Sequence, residues 1–143
     1  MADAGLNAVE KALVTRLTNY SGMSALVGTR IFAYLIPPNL DTYPAVVFSL
    51  ADSAAEGRAF SGDAESYDFL VKGVDKGNDS VARAGDVAEV IDAALHNATL
   101  SPTGYTAVYA IKRQRWIRYT EPGPDRVTFW NAGAVYRMWA QRS

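Results

Sequence analysis

The chain has 143 residues, 49% of them hydrophobic and 20% charged, with a net charge of −1 and no cysteine. That length suits one domain whose core buries about two thirds of the unfolded surface, and the composition argues against both a disordered chain and a membrane class. Without cysteine, disulfides and thiolate metal ligands are excluded, which fits a reducing compartment. Asp3, Glu10, Lys11 and Arg16 interrupt the first residues, so the start resembles neither a membrane span nor a secretion signal, and cytoplasmic synthesis is the expectation. Charge is unevenly spread: residues 1–104 hold seven Lys or Arg against thirteen Asp or Glu, whereas 105–143 hold seven against two. Opposite patches of this kind steer association and fix register, although halves of a sequence need not be halves of a surface.

Leu6, Val9, Leu13, Leu17 and Tyr20 recur at helical spacing and predict a first amphipathic helix, with Asp3 or Asn7 as its cap and Tyr20-Ser21-Gly22 as its end. Met23 to Val27 adds a short turn before Gly28 releases the chain. Ile31 to Ile36 reads as an extended piece that Pro37-Pro38 must stop, because neither proline donates a ladder hydrogen bond. After Tyr43-Pro44, Ala45 to Leu50 is an apolar strand expected to be covered on both faces. Residues 51–64, with Arg58 and Phe60 among Ala, Ser, Gly, Asp and Glu, have the composition of a flexible loop, and a strand resumes around Tyr67, Phe69 and Val71. Asp79 or Ser80 then caps a second helix with Ala84, Val87, Ala88, Ile91, Ala94 and Leu95 on its inner face. Tyr105 to Thr120 is β-rich, Glu121-Pro122-Gly123-Pro124-Asp125 reverses it, and Arg126 to Ala140 returns as its hairpin partner.

Within that hairpin Tyr105, Ala107, Tyr109 and Ile111 share parity with Arg113 and Arg115, so an apolar face turns cationic halfway along. Either a bulge near Arg113 swaps the faces, or the strand leaves the core as an arm. Asn131-Ala132-Gly133 is a second possible interruption, in the returning strand. The expected architecture is one α+β domain, an antiparallel sheet packed against two main amphipathic helices.

Motifs that carry chemistry are scarce. The single histidine, His96, ends the second helix, where a charge suits the helix dipole. Asp86, Glu89 and Asp92 line a solvated flank rather than forming an acid–base pair. Gly22-Met23-Ser24-Ala25-Leu26 lacks the second glycine of a nucleophile elbow, and Gly73 to Gly77 lacks the Lys-Ser or Lys-Thr of a phosphate loop. No enzyme, metal site or cofactor is expected. What stands out is Lys112, Arg113, Arg115 and Arg118 with Trp116 and Tyr119 interleaved. Single-strand nucleic-acid binders use such a mixture, yet the slightly acidic whole argues against a dedicated binder, and a protein–protein interface uses the same residue types as anchors.

The order Leu26-Val27-Gly28-Thr29-Arg30-Ile31, a proline turn, then Tyr43-Pro44-Ala45-Val46-Val47, followed by a helix ending Ile91 to Leu95 and a closing strand pair, resembles the tail-completion or tail-terminator-like proteins of long-tailed bacteriophages. The likeness runs from Val9 to Ala140, and the 51–64 loop is longer than in an average member. The resemblance implies a non-enzymatic virion protein, made in the host cytoplasm, that forms a ring, commonly of six copies, on the head-proximal end of the tail tube. Such a ring stops tube growth and joins tail to head. Implied partners are further copies of the chain, the tail tube protein, the head–tail connector proteins and genome DNA passing without sequence readout, with no membrane. A solution monomer is compatible with this role, as is the alternative of a nucleic-acid-binding or adaptor protein of the connector. Arg58, Phe60, Pro122 and Pro124 are then candidate probes toward tube or neighbour, and Arg113, Arg115, Trp116, Arg118 and Tyr119 candidate interface or lumen residues.

Overall fold

The computed structural model describes residues 6–55, 64–77 and 81–142. Helix α1 (Leu6–Asn19) buries Ala8, Val9, Leu13 and Leu17, the stripe that the spacing predicts. Asn7 lies inside this helix and therefore does not cap it, and Asp3 falls outside the described residues. Gly22, at φ 90°, provides the left-handed residue that separates α1 from the short α2 (Met23–Val27). Helix α3 (Ala82–Leu95) turns Ala84, Gly85, Val87, Ala88, Ile91, Ala94 and Leu95 inward. Its N-cap is Val81, which makes no side-chain cap, and the expected caps Asp79 and Ser80 lie outside the described residues.

Six described strands, β1 (Ile31–Ala33), β2 (Ala45–Ala55), β3 (Ala64–Lys76), β4 (Tyr105–Val108), β5 (Lys112–Pro122) and β6 (Thr128–Arg142), form one sheet. The order is β1-β2-β3-β6, and β4 and β5 lie end to end along the other edge of β6. All pairings are antiparallel except β1 with β2, so the expected α+β fold is present, its mainly antiparallel sheet carrying one parallel edge strand. The parallel edge arises because β1 is only three residues long: Tyr34 turns away at φ 68°, and residues 34–44 must carry the chain back to the start of β2.

Three further expectations are revised. Residues 51–55 are strand rather than loop, since Asp52 to Ala55 pair with Asp68 to Glu65 across a bulge at Ala51; β2 and β3 extend past their apolar cores because backbone pairing does not need apolar side chains. Residues 56–63, including Arg58 and Phe60, lie outside the described residues. Tyr105 to Thr120 is two strands, separated where Ile111 turns its N–H to the Ala98 carbonyl (2.8 Å) instead of the ladder. Asn131-Ala132-Gly133 does not interrupt β6, for Gly133 pairs with Lys72 on one side and Ile117 on the other.

The helices cover one face of the sheet. Val46, Phe48, Tyr67, Phe69, Val71, Ala134, Tyr136 and Met138 meet the inner faces of α1, α2 and α3 in a single core. The opposite face carries Val47, Ser49, Leu70, Lys72, Val74, Phe129 and Asn131, and the returning segment of residues 34–43 arches over part of it. Ala45 to Phe48 is thereby buried, whereas Ser49 and Leu50, expected to be covered with them, are only half-buried.

Candidate functional site

Strand β5 is the edge strand that carries the basic and aromatic cluster. Arg113 pairs with Tyr136 and Arg115 with Val135, so Gln114 is bulged out and the two arginines, two residues apart, project from opposite faces. Of the two alternatives left by the parity argument, the bulge is the one realised. After it, Trp116 and Arg118 share the helix-side face, while Arg115, Ile117 and Tyr119 share the other.

Arg113 is committed within the fold. Its Nη1 donates to Asp92 Oδ2 at 2.7 Å, the Tyr136 hydroxyl donates to Asp92 Oδ1 at 2.9 Å, and the Arg113 guanidinium lies 4.5 Å from the Trp116 ring centroid. Burial, then this bond to Asp92, holds the Tyr136 hydroxyl above its ordinary pKa. The Arg113 backbone N–H donates to His96 Nδ1 at 3.0 Å, so His96 accepts a hydrogen bond at the end of α3. Arg137 is likewise tied to Asp68 by two bonds of 2.7 and 2.9 Å.

Arg115 and Arg118, by contrast, form no ion pair among the described residues. Arg118 lies over α3 at Gly85, where an added Cβ would come within 3.2 Å of its Nη2. Gly85, Ala88 and Gly133 floor a cleft of about 380 Å³ there, with Glu89, Trp116 and Arg118 as its walls. Trp116 is 51% exposed on this face, an unusual state for the largest side chain. Pro122 ends β5 and Pro124 starts a 3₁₀ turn at the hairpin tip, both exposed.

The other face holds a groove of about 510 Å³ between the sheet and the returning segment. Leu35, Pro37, Val74 and Phe129 contribute apolar walls, and Lys72, Lys76 and Glu121 supply charge. Leu35 and Tyr119 are exposed on this side, with the Lys72 ammonium bonded to the Tyr119 hydroxyl and over its ring. Asn131 lines the groove although fully buried: its Nδ2 donates to Glu121 Oε1 at 3.0 Å, and its Oδ1 has no partner among the described residues. Sequence reasoning missed Leu35 and Asn131, because the double proline marks a turn without saying that the chain doubles back over the sheet.

The structure thus brings Arg113, Trp116 and Arg118 together on one side and Arg115 and Tyr119 on the other, with Pro122 and Pro124 at the tip. Among the described residues no group of three or more His, Asp or Glu is placed to hold a metal ion, and no helix is long and apolar enough to cross a membrane.

Comparison with known proteins agrees with this architecture. A solved structure titled "Virion of native gene transfer agent (GTA) particle" contains a chain that superposes with a TM-score of 0.69 at 20% identity, over 96% of this chain and 97% of that one. At that identity the likeness establishes a shared fold. No curated protein sequence matches. The profile of the family "Tail completion protein gp17" matches residues 11–135, from the first helix through both β5 and most of β6. The chain belongs to the tail completion protein gp17 family and is a structural protein of the phage tail.

Proposed function

We propose that the protein assembles as a ring on the head-proximal end of the tail tube, where it stops tube growth and joins tail to head. The ring is built from copies of this chain, commonly six, and contacts the tail tube protein below and connector proteins above while genome DNA passes through its lumen. The observation that carries this reading is an edge strand whose Arg115 and Arg118 form no ion pair among the described residues and whose Trp116 is half exposed, in a chain whose family completes phage tails. Trp with Arg is the composition of an interface anchor. Ring closure needs one patch to bind a different patch on the next copy. The two faces of β5 offer that asymmetry.

The test uses particles assembled without this chain and complemented with variants. Arg115→Glu with Arg118→Glu should leave a folded subunit, by its unchanged denaturation midpoint, and yield unattached tubes of irregular length. Uniform tubes firmly joined to heads would overturn the proposal. A second reading, direct contact of Arg115 and Arg118 with DNA, predicts that the isolated subunit retards DNA in a gel and releases it as salt rises.

A further inference from the structure

We infer that the ring contact joins opposite edges of the sheet: Leu35, directly after β1 in one copy, enters the cleft beside Trp116 at the β5 edge of the next. This rests on the ring reading above and says which surfaces meet. Leu35 is 72% exposed and Trp116 51%, two large apolar side chains that the fold leaves uncovered. The cleft beside Trp116 is floored by Gly85, Ala88 and Gly133, which offer nothing larger than a methyl group, so an aliphatic side chain has room to enter it. Strands β2, β3 and β6 separate the two edges, so these residues cannot meet within a copy and suit a heterologous contact between copies.

Charge supports the same pairing. Residues 31–55, which hold β1, the returning segment and β2, carry Asp41 and Asp52 and no Lys or Arg. Glu10 of α1, with Lys11 next to it, adjoins them by accepting from the Tyr34 hydroxyl. Arg30, just before β1, is tied to its own copy, donating to the Pro44 carbonyl at 3.0 Å and the Leu26 carbonyl at 3.4 Å. Strand β5 holds Lys112, Arg113, Arg115 and Arg118 against Glu121 alone, so an acidic edge meets a cationic one and the charges fix which edges pair. Side chains carry the contact, because both edges resist strand addition. The Arg30 carbonyl and the Tyr34 N–H bond β2, and between them the Ile31 N–H already donates to the Thr29 carbonyl (2.9 Å) and the Ala33 carbonyl accepts from the Leu35 N–H (2.7 Å). Along β5 the Gln114 bulge, the cations and Pro122 obstruct pairing.

The chain has no cysteine, so introduced thiols report the contact cleanly. Glu89 is a wall of the cleft. In particles complemented with the double variant Leu35→Cys/Glu89→Cys, oxidation should give a ladder of linked copies, and each single variant should give none. Adding Trp116→Ala should cut the linked yield about tenfold or more, and so should adding Glu10→Lys with Asp41→Lys, which makes both edges cationic. Leu35→Asp should leave the urea midpoint of the isolated subunit unchanged, since that side chain is exposed, yet abolish joined tails, a split that a merely structural role would not produce. No ladder, a ladder indifferent to either added change, a dimer from either single variant, or Leu35→Asp particles with joined tails overturns the inference. Amine cross-linking of unaltered particles separates the two levels: a ring-sized species there, without the thiol ladder, overturns this contact and leaves the ring, whereas no linked species in either overturns both.

Discussion

Arg113 and Arg115 differ by two positions and by almost everything else. Arg113 closes a network with Asp92, Tyr136 and His96, while Arg115, on the opposite face, forms no ion pair among the described residues. Arg113→Glu would set a carboxylate against Asp92 and leave Asp92 Oδ2 without its cation, so it should cost about 1–3 kcal/mol of folding stability. Arg115→Glu should stay within about 0.5 kcal/mol. Urea unfolding of the two variants checks this, and equal midpoints would remove the Arg113 network from the account of the fold. A second residue-scale prediction concerns Gly133, where an added Cβ would lie 2.5 Å from Lys72 Cα and closer still to the Val71 carbonyl. Both are backbone and cannot swing aside, so Gly133→Ala should cost about 3 kcal/mol, read as a lowered midpoint, and a midpoint like that of the unaltered chain would refute it. Neither role was legible in the sequence. Residue type showed that an arginine stood at position 113, but its acidic partner is 21 positions away, and Gly133 read as a break because the space that it vacates belongs to another strand.

At the level of elements, both long helices could be read from apolar spacing, since a helix carries its periodicity within itself. The hairpin at Pro122–Pro124 was equally legible, its turn residues being local. The parity conflict at Arg113 was visible too, and it marked the bulge. What escaped were the parallel placement of β1 and the full length of β2 and β3, both set by partners distant in sequence. The groove escaped with them, because it exists only where residues 34–43 cross the sheet. The bulge itself is testable. Deleting Gln114 would force either Arg113 or Trp116 onto the wrong face, since the register is pinned by the turn on one side and by the Asn97–Ile111 bond (2.7 Å) on the other. The deletion should cost about 1–3 kcal/mol by loss of the Asp92–Arg113 pair or burial of misplaced charge. Gln114→Ala, which keeps the extra residue, should be nearly neutral. If both variants unfold alike, the side chain rather than the inserted residue matters.

For the molecule as a whole, the core sets how stability responds to pH. Tyr67 and Tyr136 are both buried on the helix-covered face, and burial comes first among the causes that raise their pKa values above the ordinary 10.0. For Tyr67, hydrogen bonds with Tyr105 and Glu65 add to it; for Tyr136, the bond to Asp92 does. Each folded tyrosine therefore keeps its proton at a pH where the unfolded chain has released it. The unfolded state then binds fewer protons than the native one, and stability falls as pH rises. The contribution is complete below about pH 10 and declines above it by about 1.4 kcal/mol per pH unit for each tyrosine. Tyr67→Phe and Tyr136→Phe remove the titrating group but keep the ring, so each should lower stability at pH 8 by about 1 kcal/mol and flatten the decline between about pH 10 and pH 11.5. Urea midpoints measured across that range separate the two effects. A Tyr67→Phe/Tyr136→Phe chain that declines as steeply as the unaltered one would show that alkaline unfolding is driven elsewhere and would detach these hydroxyls from the pH response of the fold.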